Sequence, residues 1–248
     1  MQPLAGKAIL ITGAARRVGA AIARRLHALG ADVVIHYRDS STDADALALE
    51  LNSERANSAR ALGLELAQTD DIPGFIAQVI ALWGRLDGLV NNASGFYPTP
   101  LGSITAAQWG DLMASNLKAP LFLAQAAARE LEKNGGAIVN IVDIHAERPL
   151  KDYLVYNIAK AGLAGLTRSL ALEMAPRVRV NGVSPGPIEW PDDGQLDGAE
   201  RERILAATPL RRVGGAEEIA KAVSFFFADA PYVTGQVLAV DGGRSIYL

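Results

Sequence analysis

The chain has 248 residues, half of them hydrophobic, with 24 Lys and Arg against 27 Asp and Glu and a net charge of −3. That length suits one large α/β domain spanning 1–248 and is short for two, and the acidic balance argues against nucleic acid or an anionic membrane as the main partner. No cysteine is present, which removes disulfides, thiolate metal sites and Cys nucleophiles. His27, His36 and His145 stand at no metal-ligand spacing, so no metal is expected. No apolar run approaches the roughly 18 residues of a membrane span, and the first residues lack a signal-peptide pattern. A soluble, cytoplasmic chain is expected.

Residues 7–12 form a short apolar run, followed by Gly13-Ala-Ala-Arg-Arg-Val-Gly19. Ile22, Leu26 and Leu29 then recur at helical spacing until Gly30. Strand, glycine turn and helix are the context that a phosphate-binding turn requires: the helix N-terminus offers free N–H groups and the positive end of its dipole. Arg16 and Arg17 add positive charge there. A second buried strand is predicted over 32–37, a helix over 42–62 and a weak third strand over 62–66. Another helix covers 72–83, and a strand over 86–92 opens into the loop 93–100. A long helical pattern over 105–133 precedes a strand over 138–142. The pattern predicts a helix over 153–173, stopped by Pro176, and a sixth strand over 178–183. From 184 to 198, Pro185, Pro187, Pro191 and four acids predict a loop, with a lid or substrate loop over about 184–208. A helix over 216–228 and a strand over 235–240 complete the pattern. Strands alternating with helices imply a doubly wound, Rossmann-type parallel sheet with helices on both faces.

In such a sheet ligands bind beyond the carboxyl ends of the strands. The strand ending near Val142 puts Asp143 at that mouth. Tyr156 and Lys160, four residues apart, leave the same face of a helix. A phenol titrates near about 10, and a neighbouring ammonium favours its anion, so the pair suits acid/base work. Taken alone, the spacing is more often a surface Lys beside a half-buried Tyr. The second strand ends in His36-Tyr37-Arg38-Asp39-Ser40. An NAD enzyme places an acid there, on the ribose 2′-hydroxyl. Tyr37 occupies that position, while Arg38 and Ser40 suit a 2′-phosphate and Asp39 opposes one.

Thr12-Gly13…Gly19, Asn91-Asn-Ala93, Asn116, Tyr156…Lys160 and Pro185-Gly186 stand in the order and spacing of the short-chain dehydrogenase/reductases, which the sequence resembles over nearly its whole length. Asp143 in place of the usual serine, Arg17 in place of the middle glycine, and Asn91-Asn-Ala-Ser-Gly-Phe-Tyr-Pro-Thr-Pro-Leu101 look like the pteridine reductase subgroup. The resemblance implies NADPH-dependent reduction of pterins, with folates as a second candidate class. Tyr156 would supply the proton, Lys160 would lower the tyrosine pKa and bind the nicotinamide ribose, and Asn116 would kink its helix and support a relay water. Asp143 would work with Tyr156, or cap the turn that follows it. The implied cofactor contacts are Gly13, Arg16, Arg17, Val18, Gly19, His36, Tyr37, Arg38, Ser40, Glu65, Leu66, Asn91, Ala93, Ser94, Tyr156, Lys160, Pro185, Gly186 and Ile188. Arg17, Ser94, Phe96, Asp143 and Tyr156 would hold the substrate, Phe96 by stacking. A homo-tetramer is implied, with the helices over 105–133 and 153–173 at its interface. The alternatives are a carbonyl or 3-oxoacyl reductase of the same family and a nucleotide-sensing protein without turnover.

Overall fold

In the computed structural model, residues 2–190 and 197–246 are described. One sheet of seven parallel strands runs in the order β3-β2-β1-β4-β5-β6-β7. The strands are β1 (Ala8–Ile11), β2 (Asp32–Tyr37), β3 (Ala59–Gly63), β4 (Gly88–Asn91), β5 (Ala137–Ile141), β6 (Arg179–Pro185) and β7 (Val237–Val240). The helices between them are α1 (Arg17–Ala28), α2 (Ser41–Glu54), α3 (Ile72–Trp83), α4 (Ala106–Met113), α5 (Ala119–Asn134), α6 (Leu154–Glu173), α7 (Gly198–Ala206) and α8 (Ala216–Ala228).

The two-residue period of a strand sends alternate side chains to opposite faces. Ile9, Ile11, Val33, Ile35, Val90, Val139 and Val183 pack against α1, α2 and α8. Leu10, Val34, Leu89, Ile138 and Val180 pack against α3, α5 and α6. Both faces are thereby covered, which is why the strands read as continuous apolar runs. This is a Rossmann-type α/β fold. Strand order reverses direction between β1 and β4, and the crevice that opens there gathers the chain just after β1, β2, β3, β4, β5 and β6.

Three stretches depart from the sequence pattern. The helix expected over 42–62 stops at Glu54, and β3 starts at Ala59 instead of residue 62. Asn57 takes a φ of 61°, and the Asn52 carboxamide accepts from the N–H groups of Ser58 and Ala59 and donates to the Ala59 carbonyl. Asparagine makes this turn with no glycine or proline to announce it. The pattern over 105–133 is broken by a π-helical turn at Ala114–Lys118. There Asn116 donates to the Leu112 carbonyl at 3.0 Å, and Pro120 has no N–H to continue the helical ladder. The expected loop and lid region contains structure: β6 takes Ser184 and Pro185, and α7 is capped by Asp197, which accepts from the Glu200 N–H at 2.7 Å. Residues 191–196, Pro191 among them, lie outside the described residues.

Candidate active site

At the end of β1 the backbone turns at Gly13, whose φ of +60° suits glycine. A side chain at Gly19 would put its Cβ 2.3 Å from the Gly13 carbonyl oxygen and 2.7 Å from Asn92 Nδ2, so the first turn of α1 sits directly on the glycine turn. Asn92 Nδ2 donates to the carbonyls of Thr12 and Gly13, and Thr12 Oγ1 accepts from the N–H groups of Asn92 and Ala93. From the other side the Gly13 N–H donates to His36 Nδ1 at 3.1 Å, and His36 Nε2–H donates to the Leu64 carbonyl at 3.0 Å. These partners fix the neutral tautomer. Burial pushes the His36 pKa down to about 4, so the ring is an uncharged strut for the turn.

No side chain caps the N-terminus of α1 and no acid stands in its first turn, which leaves that end free to receive an anion. Arg16 pairs with Asp43 at 2.5 Å. Arg17, at a φ of 52°, donates from Nε to Glu189 at 3.0 Å. At the end of β2, the Tyr37 ring lies against Gly63, where a Cβ would be 2.9 Å from it. Arg38 Nε donates to Asp39 at 2.7 Å, with Glu65 at 3.9 Å. Glu65 also accepts from the Ala67 N–H at 3.0 Å.

Past β5, Asp143 makes two bonds at once. Its Oδ1 accepts from the His145 N–H at 2.8 Å, capping the turn Ile144–Ala146, and its Oδ2 accepts from the Tyr156 hydroxyl at 2.7 Å. The capping and the Tyr156 readings of Asp143 therefore describe the same side chain. Lys160, one helical turn beyond Tyr156 on the buried face of α6, donates from Nζ to the Ile141 carbonyl at 2.9 Å. Burial pushes its pKa down to about 8, against the pull of Asp143. Tyr156 is pushed well above its ordinary value, first by burial and then by the Asp143 charge, with the Ser94 hydroxyl opposing. The net direction at Tyr156 is therefore upward, set by burial and the Asp143 charge. The Lys160 ammonium stands 5.7 Å from the ring centre.

Asn116 is fully engaged: its amide donates to the carbonyls of Gly95 and Leu112, and its Oδ1 accepts from the Ser94 hydroxyl at 2.7 Å. It ties the loop after β4 to the π-helical turn. Phe96 stacks on Tyr153 at 4.6 Å between ring centres and meets the Tyr156 ring edge-on at 4.8 Å.

A single cleft of about 700 Å³ runs through these groups. Gly13, Arg16, Arg17, Val18, Gly19, His36, Tyr37, Arg38, Ser40, Glu65, Leu66, Ala93, Ser94, Asp143, Tyr156, Lys160 and Pro185 all line it. Asn91, Phe96, Asn116, Gly186 and Ile188 do not. Asn91 points into the protein and donates to Asn140 at 2.8 Å. Ile188 is buried in the core beside α8, and a Cβ on Gly186 would lie 2.6 Å from Asp241, so that glycine is explained by packing. Sequence reasoning missed Asn92, Tyr153 and Glu189. The two-residue strand period could have found the first, since it puts neighbours on opposite sides. No local signal marks the pairing of Glu189 with a residue as distant as Arg17.

Among the described residues no group of His, Cys, Asp and Glu could hold a metal, and no helix is long and apolar enough to cross a membrane. The model of the family described as enoyl-(acyl carrier protein) reductase matches residues 13–245. Pteridine reductase 1 of Leishmania tarentolae is 41% identical, with 96% of each chain covered. A 3-oxoacyl-(acyl-carrier-protein) reductase of Staphylococcus aureus is 34% identical over 96% of this chain and 97% of its own. The human dehydrogenase/reductase SDR family member 4 is 36% identical over 97% of this chain and 88% of its own. With this fold, this cleft and these relatives, the chain belongs to the short-chain dehydrogenase/reductase family of oxidoreductases.

Proposed function

We propose that the protein is a cytoplasmic, NADPH-dependent reductase of pterins, with folates as a second substrate class, working as a single domain within a homo-tetramer. The observation that carries this reading is the Asp143–Tyr156 hydrogen bond of 2.7 Å. A simple ketone needs one proton on oxygen, which a hydroxyl beside a tyrosine serves without adding charge. A pterin ring has several nitrogens that can take up a proton, and a carboxyl–phenol pair holds two proton sites in one hydrogen bond. The 41% identity to a pteridine reductase supports the same substrate class.

The turn at Gly13–Gly19 and the uncapped start of α1 suit a pyrophosphate, and Arg38 with Ser40 suits a 2′-phosphate. NADPH, when bound, supplies the hydride. Tyr156 keeps its proton at neutral pH and donates it to Asp143. When substrate is bound the phenol O–H turns from Asp143 to the substrate, and solvent returns the proton that it gives up. Lys160, held by the Ile141 carbonyl, stays charged below about pH 8 and stabilises the tyrosinate left behind. Asn116 keeps Ser94 in place, and the Phe96–Tyr153 stack offers an aromatic edge for a flat ring.

The 34% identity to a 3-oxoacyl reductase favours a second reading, a carbonyl reductase. NADPH absorbance followed on mixing with biopterin, dihydrobiopterin, folate and a 3-oxoacyl thioester separates the two. Turnover of pterins supports the first reading. Turnover of the thioester alone replaces it with the second, and binding without turnover leaves a nucleotide sensor.

A further inference from the structure

Asp143 borders two spaces. One is the main cleft; the other is a cavity of about 50 Å³ whose walls include Ala146, Glu147, Ala164, Ser184, Ala239 and Ser245. The strand period explains it. Val183 packs on the α1 and α8 side of β6, so Gly182 and Ser184 face the other side, where a Cβ on Gly182 would meet Val142 and Val237. Ser184 stands in register with Ala239 of β7. Alanine at 146, 164 and 239 and serine at 184 leave room that larger side chains would fill in a close-packed interior. A water needs about 10–15 Å³ of such space and polar partners. Ser184 is 7% exposed, and among the described residues its hydroxyl has no hydrogen-bond partner in the protein. Glu147 is exposed at the rim, its carboxylate 3.9 Å from Arg168.

We propose that this cavity is a rear water passage that brings a solvent proton to Asp143 while cofactor and substrate fill the cleft. The need is set by charge. A Tyr156 that has given up its proton is a buried anion beside the Asp143 carboxylate. Lys160 balances one of these two charges, and a proton on Asp143 balances the other. The phenol O–H goes to the substrate. A proton of bulk water enters beside Glu147, passes along water bonded to the Ser184 hydroxyl and reaches the Asp143 carboxylate. Asp143 hands it to the tyrosinate oxygen, 2.7 Å from Oδ2, which restores both groups. One solvent proton is consumed and no electrons move. Asn116 is not on this route, because its side chain serves Ser94, Gly95 and Leu112. Ser184 acts through Asp143 and is a positioning residue. The proposal rests on Tyr156 as the proton donor, as read above, but not on the pterin.

Val and Thr have nearly the same shape, and only Thr keeps the hydroxyl. In single-turnover stopped-flow with NADPH and dihydrobiopterin, Ser184→Val should slow NADPH oxidation by about tenfold, a fraction of the about 10²–10⁴-fold that general acid–base groups contribute. Its solvent deuterium effect should exceed that of the wild type, with both dissociation constants unchanged. Ser184→Thr should restore rate and isotope effect. A crystal structure should show water between Ser184 Oγ and Asp143 in the wild type and none in Ser184→Val. If Ser184→Val melts lower than the wild type, Ala239→Leu, which fills the cavity from the exposed edge strand, takes its place and should slow the same step. A dry cavity in the wild type, an unchanged rate in the filled variant, or equal slowing in Ser184→Thr overturns the passage and leaves the proposed function standing. A wild type that turns over only the 3-oxoacyl thioester overturns the pterin reading, and the same measurements with that substrate decide the passage. No turnover of either substrate overturns the function and the passage together.

Discussion

Two residues do opposite things with a buried proton. Tyr156 is held protonated by burial and by Asp143, and His36 is held neutral by burial against the glycine turn. Asp143→Asn can keep the cap on His145 through its amide oxygen while presenting an N–H₂ to the phenol, which reverses that hydrogen bond. Loss of a general acid–base partner costs about 10²–10⁴-fold. Pterin turnover should fall in that range in steady-state assays, with the NADPH dissociation constant little changed. Because the Asp143 charge helps to raise the tyrosine pKa, the basic limb of the pH–rate profile should also move to lower pH in this variant. Near-wild-type turnover would reduce Asp143 to a turn cap. For His36 the sign runs through linkage. Its folded-state pKa is depressed from its ordinary value near 6.5 to about 4, so as pH falls the unfolded chain takes up the proton first. Stability complete above about pH 6.5 is therefore lost towards pH 4, by at most about 3 kcal/mol. Urea midpoints of the wild type and His36→Asn, measured from pH 7.5 to 4, should converge as pH falls. A constant gap would mean that the ring is not buried neutral.

At the scale of elements, the turn between β1 and α1 depends on close approach. Gly19→Ala would bring a Cβ within 2.3 Å of a backbone oxygen, so helix and turn must separate. Overpacking of this kind costs about 1–3 kcal/mol, a fall of several degrees in melting temperature for a chain of this length. Dinucleotide binding should weaken with it. Gly110→Ala in α4, where nothing lies within 4 Å, is the control and should be neutral or stabilising in the same melts. Equal effects at the two positions would refute the packing argument. The same contrast explains what the sequence reveals. β2, α3 and α8 have the predicted limits because apolar period and flanking residues agree. α2 runs into β3 in the sequence pattern because Asn52 and Asn57 make their turn with side-chain bonds that no composition reports. The π-helical turn at Asn116 keeps a helical apolar period, so it reads as one long helix. The cleft was legible wherever its residues follow a strand end. Pairings between distant segments, such as Arg17 with Glu189, depend on where β6 delivers the chain and were not.

At the scale of the whole molecule, α6 carries the candidate catalytic residues on one face and the proposed assembly surface on the other. Its inner face buries Tyr156, Lys160, Leu163, Thr167 and Ala171. Its outer face carries Leu154 and Ile158, each 42% exposed, then Ala161 and Gly165, and finally Leu172 at 79%. These positions recur at close to the helical period, so they form a second apolar and small-residue stripe opposite the first, interrupted between Gly165 and Leu172 by the exposed Arg168. Trp109 on α4 and Leu121 on α5 are exposed as well. Apolar residues scattered singly on a surface need no explanation, but a stripe along one helix marks an association face. The small side chains at Ala161 and Gly165 would allow a second helix to come close, and an α6 from another copy is the partner that the proposed tetramer supplies. Ile158→Arg puts a charge near the N-terminal end of that stripe while leaving the buried face untouched, and a charge left unpaired in an interface costs several kcal/mol. Light scattering coupled to size exclusion should therefore show the wild type as a multiple of the 26.2 kDa chain and Ile158→Arg as a smaller species of the same fold by circular dichroism. Tyr156 and Lys160 sit two residues to either side of Ile158, on the opposite face of the same helix, so loss of assembly should also loosen the Asp143–Tyr156 bond and reduce turnover in the dissociated form. A wild type that runs as a 26.2 kDa monomer at all concentrations would refute the assembly. A variant that stays assembled would move the interface away from α6.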